Sequence, residues 1–569
     1  MKQLTTGAAA FAASMMLSLA SGAAELPADR LLIGGHVKTP TGWAEAIAIR
    51  GGVITAVGTE TSVLTQRGAH TEVIHLKGAT VIPALHDVHV HALFGGVSER
   101  ECKIEQGKTM AAFQAAVAAC SAKAAPGAWV RGGQWDAPAL GVPLDLPHLD
   151  AVTAGHPAYF EDSSGHSVWV NSAALKVAQI DRNTGNPAGG VIEHDARGNL
   201  TGVLREDAAL ERVRSHIPKP DAAARLSALK WSHEQMLSHG LTSYTEASVG
   251  FVAGFRPEME TYRTLVASHA PMPRAILCMT YAPDSADFED ILSARNLYRS
   301  ERVQPDCVKI FLDGVPTESH TAAMLEPYAD AVAGRSDDAA RRGILFLAQA
   351  PLNEAVTRFD AMGLTVKFHA AGDAAVRAGL DAIEAARAHN GFGGLMHNVG
   401  HCTFVAASDL SRARAMGAAF EVSPYLFGPS PINDAITPAV GEPRMSHVWP
   451  VREMLDAGAL VVPGSDWSVV PSVNPWTGIE QLVTRQRLGG SKDVFAAGEA
   501  ISVAEAIDLF TVNAARQERR ADQLGRIALG YLADLAVLEE NPYEIPATTL
   551  HDVRVRMTLV GGEVSYRAR

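Results

Sequence analysis

The 569-residue sequence lacks the features that mark fibrous, disordered or nucleic-acid-binding proteins. Charged residues make up 20% of it, hydrophobic residues 47%, and no low-complexity tract interrupts it, which excludes disorder, collagen and coiled coil as its main character. The 49 Lys and Arg are outnumbered by 62 Asp and Glu and form no basic cluster, so nucleic acid is not expected as a partner. The length predicts two domains, or one large barrel with additions.

Long apolar runs are also missing beyond the first residues of the chain. Lys2 is followed by the apolar run Gly7–Ala20 and by the small residues Ser21, Gly22 and Ala23, a pattern typical of a secretory signal peptide cleaved after Ala23 or Ala24. The run is shorter than the ~20 residues that span a bilayer. We therefore expect residues 1–23 to be removed and the mature protein to be periplasmic or secreted, without a membrane anchor.

Cysteine is scarce, and its spacing excludes a zinc knuckle or a Cys-x-x-Cys redox pair. The five residues are Cys102, Cys120, Cys278, Cys307 and Cys402. An odd count leaves at least one of them free. Cys102 and Cys120 flank a helix-like stretch outside the apolar runs and are the favoured disulfide, whereas the other three lie inside apolar runs and are expected to be buried thiols.

Two kinds of strand pattern divide the chain. Short strands with Gly-rich turns occupy Arg30–Val81 and return from Ala533 to Tyr566. Neither piece is long enough to bury a core alone, so residues 24–82 and 525–569 are predicted to pair into one small β-sandwich. Between them, residues 83–524 alternate short apolar strands with longer helical stretches, which is typical of parallel βαβ units.

Eight strand candidates in this middle part fit a (β/α)8 barrel of the α/β class. They are Thr80–Pro83 running on to His91, Leu241–Glu246, Arg274–Tyr281, Cys307–Leu312, Leu364–His369, Leu395–His401, Ala419–Val422 and Leu460–Ser465. The gap between the first two is far longer than one crossover helix requires. It predicts an insertion at about residues 92–240, above the catalytic face of the barrel.

Candidate metal ligands end several of these strands. His89 and His91 are two residues apart, so their side chains project from the same face of the first strand. Lys309 lies inside an apolar strand, where an ammonium group is costly unless it is paired, for example with Asp313, or converted to an Nζ-carbamate that bridges two cations. His369, His401 and Asp466 each end a later run. A lone His is more often a core residue, but this joint order indicates a metal site.

The sequence resembles the metal-dependent amidohydrolase superfamily, and within it amidohydrolase family 3, the group that includes YtcJ-like proteins and N-substituted formamide deformylase. The motifs that carry the resemblance are Trp129–Asp136, Gly165–Leu175, Gly189–Ile192, Thr201–Leu204, Val308–Gly314, His369–Asp373 and Gly464–Trp467. Two segments depart from the family pattern, Pro83–Asp87 and Gly530–Asp534, and neither contains a ligand. His86, in the first of them, is expected to be structural.

The resemblance implies a binuclear metal centre, usually of zinc although another divalent metal is allowed. Its ligands are His89, His91, carbamylated Lys309, His369, His401 and Asp466. Asp466 also accepts a proton from the attacking water and returns one to the leaving amine. His166 is expected to orient the substrate or bind the oxyanion, or else to stabilise its loop. Trp135 and Trp467 are expected as pocket walls or as core packing.

These expectations amount to an exported hydrolase of carbon–nitrogen bonds other than peptide bonds, acting on a small amide such as an N-acyl or N-formyl compound. A lactone, a carbamate or an N-acyl amino acid remains an alternative substrate, because the same activated water attacks any such carbonyl. A catalytically inactive binding or regulatory protein on the same scaffold is an alternative of another class. The oligomeric state stays open, a homodimer included.

Overall fold

The computed structural model describes residues 26–105, 107–317, 319–330 and 341–569. The predicted signal peptide, residues 1–23, lies outside these ranges. Within them, no helix combines the length and the apolar character that crossing a membrane requires.

The described part of the chain, from residue 26 on, begins with seven short strands and one short helix, Glu60–Leu64. The strands are β1 (Arg30–Ile33), β2 (His36–Thr39), β3 (Gly42–Ala44), β4 (Ala46–Arg50), β5 (Val53–Gly58), β6 (Glu72–His75) and β7 (Thr80–Pro83). Four of them form a sheet in the order β5-β4-β1-β6. The turn before β5 requires glycine at position 52, because φ there is +78° and a Cβ would lie 2.8 Å from the carbonyl oxygen of Gly561.

The first barrel strand, β8 (Leu85–Val90), is followed by a long excursion that contains a sheet of its own. Its strands are β9 (Cys102–Lys103), β10 (Val130–Trp135), β11 (Ala158–Asp162), β12 (Ser167–Val170), β13 (Val191–His194) and β14 (Leu200–Arg205), in the order β13-β14-β12-β11-β10-β9. Its helices are Met110–Ser121, Ala137–Leu140, Leu146–Asp150, Ser172–Val177 and Asp207–Arg214. Stacking of Phe113 on Trp169, with ring centroids 5.4 Å apart, marks the core beneath this sheet.

Eight parallel strands form the barrel. After β8 they are β15 (Leu241–Val249), β16 (Arg274–Thr280), β17 (Val303–Phe311), β18 (Thr365–Ala370), β19 (His397–His401), β20 (Ala418–Val422) and β21 (Leu460–Pro463). The order is β21-β20-β19-β18-β17-β16-β15-β8. The open edge closes just beyond β21, where the amide N–H of Asp466 donates to His89 O at 2.8 Å and that of His91 donates to Trp467 O at 2.6 Å.

Helices surround the barrel and cover the apolar outer faces of its strands. They are Ala92–Ser98, Ala222–Ser238, Phe255–Ala267, Ala286–Ala294, Gln349–Ala361, Asp373–Asn390, Leu410–Met416, Pro431–Val440, Glu442–Met445, Val451–Asp456, Pro475–Thr484, Val503–Asp508 and Ala514–Gln517. Helix Ala222–Ser238 begins where the side chain of Asp221 accepts a hydrogen bond from Ala224 N. It contacts β15 and is the crossover helix into that strand.

The last strands of the chain pair with strands from its N-terminal part. Strands β22 (Leu535–Leu538), β23 (Val555–Val560) and β24 (Glu563–Arg567) join β7, β2 and β3 in a sheet of the order β24-β23-β22-β7-β2-β3. Its apolar face packs against the sheet of β1 and β4. The predicted fold class, a (β/α)8 barrel with a large insertion after its first strand and a small β-sandwich from both chain ends, is therefore confirmed. One strand candidate differs: Thr80–Pro83, expected to run on to His91, is a separate strand of the sandwich, and the barrel strand begins at Leu85.

The cysteines correct one expectation. Cys102 and Cys120 form a disulfide with Cα atoms 5.8 Å apart, as favoured from the sequence. Cys278 and Cys307 were expected to be buried thiols, but they form a second disulfide with Cα atoms 4.1 Å apart. The reason is register, since these residues lie directly opposite each other on the neighbouring strands β16 and β17. Cys402 is free and buried.

Candidate metal centre

The candidate ligands meet at the carboxyl ends of the barrel strands. β8 supplies His89 and its end supplies His91, while Asp466 lies just beyond β21 on the other side of the closing edge. One carboxylate oxygen of Asp466, Oδ1, lies 3.2 Å from Nε2 of His91 and 3.4 Å from Nε2 of His89. The two imidazoles and the carboxylate therefore point at one small volume, in which their ligand atoms all lie within 4.8 Å of one another.

In this position Asp466 has a strained backbone conformation. Its φ is +61°, a left-handed conformation that costs a non-glycine residue of order 1–3 kcal/mol. The amide N–H donated to His89 O and the turn around Trp467 maintain it. Burial raises the pKa of the Asp466 carboxyl, but the neighbouring imidazoles of His401, His89 and His91, the last also through a hydrogen bond, outweigh that effect and hold the pKa well below its ordinary value. The carboxylate is thus ionised and available as a ligand.

His369 and His401, on β18 and β19, complete the ring of imidazoles. Their ring centroids are 4.8 Å apart, and the His401 ring is also 4.8 Å from that of His89. Nδ1 of His401 lies 3.9 Å from Oδ2 of Asp466. Burial holds the pKa of His401 at about 4 and the pKa of His369 well below its ordinary value. Both rings are therefore neutral at pH 7, the form in which imidazole binds a metal.

A buried oxygen atom lies behind each of three of these rings. Its contact with one ring nitrogen fixes which nitrogen faces the other candidate ligands. Nδ1 of His89 contacts a carboxylate oxygen of Glu421, Nδ1 of His369 lies 3.1 Å from Oδ1 of Asp313, and Nδ1 of His401 lies 2.9 Å from Oγ of Ser423. A carboxylate that accepts from Nδ1–H leaves the lone pair on Nε2. Such partners behind a histidine are the usual means by which proteins orient imidazole ligands.

Lys309 lies on β17 with 1% of its surface exposed. Its Nζ is 3.4 Å from Nε2 of His89 and 4.8 Å from the ring centroid of Phe311. Asp313, the partner considered from the sequence, instead accepts hydrogen bonds from Ala371 N and Gly372 N besides its contact with His369. Burial, reinforced by the charge of Lys367, lowers the pKa of Lys309 to about 7. A neutral amine at this place is the form that combines with carbon dioxide.

The insertion contributes His166, whose ring centroid is 4.9 Å from that of His369. Nδ1 of His166 lies 2.9 Å from Oε2 of Glu206, while Oε1 of Glu206 is buried without a hydrogen-bond partner among the described residues. Burial lowers the pKa of His166, but the negative charge of Glu206 and its hydrogen bond raise it by more, to about 9. His166 is therefore an imidazolium at pH 7, beside the candidate centre.

Three other residues singled out from the sequence lie in packed surroundings. Trp135 is buried in the insertion core and donates from Nε1 to Phe160 O at 2.8 Å. Trp467 belongs to the barrel core, and its indole closes against Gly95, where a Cβ would lie 2.7 Å from Cη2. His86 contacts Glu518 through Nδ1 at 3.0 Å, outside the cluster of candidate ligands.

Sequence reasoning missed Glu421, Glu206 and Lys367, and it considered Asp313 only as a partner of Lys309, not of His369. Glu421 and Lys367 carry the same signal that identified Lys309, a charged residue inside an apolar strand. Their side chains carry opposite charges and contact each other between β18 and β20. A search for complementary buried charges on different strands would have indicated both.

The donor set fits a metal. Imidazole nitrogens and a carboxylate are ligands of Zn²⁺ and related divalent ions, and two groups of side chains lie close enough to hold one, His89 with His91 and Asp466, and His89 with His401 and Glu421. His369 adjoins the second group through His401, and Lys309 contacts His89, which belongs to both groups. Burial lowers the pKa values of His89, His369 and His401, and the buried oxygen atoms behind these rings orient them, as a metal site requires.

A parallel eight-stranded barrel with such donors at the carboxyl ends of its strands is the architecture of metal-dependent hydrolases. Comparison with known proteins agrees, because a family model described as the amidohydrolase family matches residues 72–566. The chain belongs to the amidohydrolase family.

Individual relatives resemble the chain over nearly its whole length. It is 27% identical over 530 residues to the putative amidohydrolase YtcJ of Bacillus subtilis (strain 168), covering 92% of this chain and 96% of the relative. It is 27% identical over 562 residues to the N-substituted formamide deformylase of Arthrobacter pascens, covering 95% and 98%. The crystal structure of an uncharacterized metal-dependent hydrolase from Pyrococcus furiosus superposes with a TM-score of 0.68 at 23% identity, covering 90% of this chain and 100% of that one.

Proposed function

We propose that the protein is an exported amidohydrolase that cleaves the C–N bond of a small N-acyl or N-formyl amide. The observation that carries the proposal is the convergence of His89, His91 and Asp466 on one point, ringed by His369, His401 and Lys309. The likeness to a formamide deformylase supports the choice of an amide. The two disulfides support the export part, because disulfides persist in oxidising compartments.

The proposed metal ligands are His89, His91, His369, His401, Asp466 and Lys309 as a carbamate. Bound there, two divalent cations, zinc by preference, would lower the pKa of a water molecule and polarise the substrate carbonyl. Lys309 as a carbamate supplies an anionic group in place of an ammonium that the cations would repel.

The remaining steps belong to side chains of this chain. Asp466, whose carboxylate is ionised, accepts the proton of the attacking water and then delivers it to the nitrogen of the leaving amine. His166, held as an imidazolium by Glu206, donates a hydrogen bond to the carbonyl oxygen as negative charge develops there. Glu206 is the group that keeps His166 protonated and oriented.

A substrate panel tests this function. Purified protein is assayed against N-formyl and N-acyl amines, carbamates and lactones, beside the variant Asp466→Asn. We expect amide hydrolysis that falls at least ~10³-fold in the variant, because both a ligand and the proton acceptor are altered. Hydrolysis of carbamates or lactones in preference to amides would assign a different bond to the same site. Amide hydrolysis at an unchanged rate in Asp466→Asn would refute the proposed roles.

A further inference from the structure

A second buried lysine lies close to the candidate centre. Nζ of Lys367, on β18, contacts one carboxylate oxygen of Glu421, on β20, and the other oxygen of Glu421 contacts Nδ1 of His89. Lys367 and Glu421 are 1% and 0% exposed. A single carboxylate is thus shared between a candidate metal ligand and a buried ammonium.

We propose that Glu421, with its charge balanced by Lys367, is a positioning residue that fixes the orientation and tautomer of His89 for metal binding. The inference rests on the proposed function, since it concerns the same metal centre. Because a carboxylate accepts hydrogen bonds and does not donate them, its contact with Nδ1 places the His89 proton there. Nε2 then presents its lone pair to the centre, 3.4 Å from both Asp466 Oδ1 and Lys309 Nζ.

Close packing leaves this arrangement little freedom. A Cβ at Gly464 would lie 2.4 Å from Cβ of His89, and a Cβ at Gly400 would lie 2.7 Å from Oε1 of Glu421. Both contacts are shorter than real Cβ atoms make, so glycine is required at 464 beside the Cβ of His89 and at 400 beside the carboxylate of Glu421. The base of the His89 side chain and the acid are therefore held by packing as well as by their mutual contact.

Lys367 explains how Glu421 is tolerated next to the ligands. An unpaired buried carboxylate is costly, and so is an unpaired buried ammonium, but each offsets the charge of the other. Lys309, in contrast, has no carboxylate within ion-pair distance among the described residues, and its Nζ contacts Nε2 of His89. The pair thus leaves Lys309 as the buried lysine without a counter-charge, the one available for conversion to a carbamate.

The alternative is that the ion pair of Lys367 and Glu421 only stabilises the packing of β18 and β20. A set of isosteric variants separates the two roles. Glu421→Gln removes the charge and leaves Lys367 uncompensated, so it lowers stability under either role. The double variant Lys367→Met with Glu421→Gln is neutral at both positions and is expected to restore the melting temperature of the metal-free protein. Glu421→Asp keeps the ion pair's charges but withdraws the carboxylate from His89.

The readout is the affinity for Zn²⁺, measured by competition with a chromophoric chelator, together with the melting temperature of metal-free protein. We expect Glu421→Asp to bind Zn²⁺ 10- to 100-fold more weakly than the wild type, the usual effect of losing a partner behind a histidine ligand. The double variant, whose amide oxygen still accepts from Nδ1 but carries no charge, is expected to bind Zn²⁺ more weakly than the wild type by a smaller factor. Glu518→Gln is the matched control, because Glu518 pairs with Nδ1 of His86 at 3.0 Å in an equally buried setting away from the ligands. Its Zn²⁺ affinity should change less than about twofold.

Each result decides between the roles. If both Glu421→Asp and the double variant bind Zn²⁺ as tightly as the wild type, the positioning role is wrong. It is also wrong if Glu518→Gln weakens binding equally, because the effect would then reflect general loosening of the barrel. Wild-type protein that binds no Zn²⁺ would instead overturn the proposed function on which the inference rests.

Discussion

Replacing Lys309 by alanine tests whether this residue is a carbamate ligand of a binuclear metal centre or an unmodified buried lysine. Lys309 is 1% exposed, its Nζ lies 3.4 Å from Nε2 of His89, and no described carboxylate pairs with it. In the proposed ligand set Asp466 is the one carboxylate, and the charge of Glu421 is already balanced by Lys367. Without the carbamate, a second divalent cation would have too little negative charge around it to bind.

We therefore expect Lys309→Ala to lose metal and activity together. Divalent cations supply several kcal/mol of charge stabilisation in the transition state. At about 1.4 kcal/mol per factor of ten, a loss of ~4 kcal/mol lowers turnover about 10³-fold. Metal content, measured by elemental analysis, should fall from about two equivalents per chain to one or none.

Chemical rescue makes the test specific. Alanine leaves a space in the shape of the missing side chain and its carbamate, which a short carboxylic acid such as propionate or butyrate fills. Either acid in the buffer should partly restore both metal content and turnover, whereas Lys309→Gln, which fills the space itself, should not respond. The reasoning is refuted if Lys309→Ala retains about two metals and normal turnover, or if the acids leave it unchanged.

Two further predictions concern the disulfide in the barrel and the charge of His166. Replacing both Cys278 and Cys307 by alanine should lower the free energy of unfolding by about 3 to 4 kcal/mol in non-reducing urea titrations, because their separation of 29 residues sets the loop that the bond closes; no measurable change would contradict the pairing. Because the pKa of His166 is raised to about 9, the imidazolium persists as pH rises past neutrality and is lost only near that value. The basic limb of the pH–rate profile should therefore lie near 9 and move to lower pH in Glu206→Gln, where burial still lowers the pKa of His166 and the carboxylate no longer raises it; a limb that does not move would exclude this role for Glu206.

Sequence alone predicted the barrel because each of its strands is a separate apolar run that ends next to a polar residue. It placed the border between sandwich and barrel at residues 82 and 83, but it ran Thr80–Pro83 on into the first barrel strand, since the run through Val81 and Leu85 is apolar on both sides of Ala84. Only the pairing partners differ there: β7 pairs with β22 from the far end of the chain, and β8 pairs with β15. When the chain passes from one sheet to another within a continuous apolar run, the local sequence does not show it.

The same limit applies to the site. His89, His91 and Asp466 were identified because their spacing and their position at strand ends are visible along the chain. The role of Glu421 depends on its contacts with His89 and Lys367, on two other strands, and the Cys278–Cys307 bond depends on strand register. Groups that act through a ligand have no required spacing from it, so only the folded chain reveals them.

Metal analysis of the purified protein tests the central claim most directly. The protein is expressed with zinc, freed of loosely bound ions and measured for metal and protein in the same sample. We expect about two equivalents of zinc per chain, loss of amide hydrolysis on chelation, and recovery of hydrolysis when zinc is returned. A chain that carries no metal, takes up none when zinc is added, and hydrolyses amides equally well with a chelator present would contradict the account.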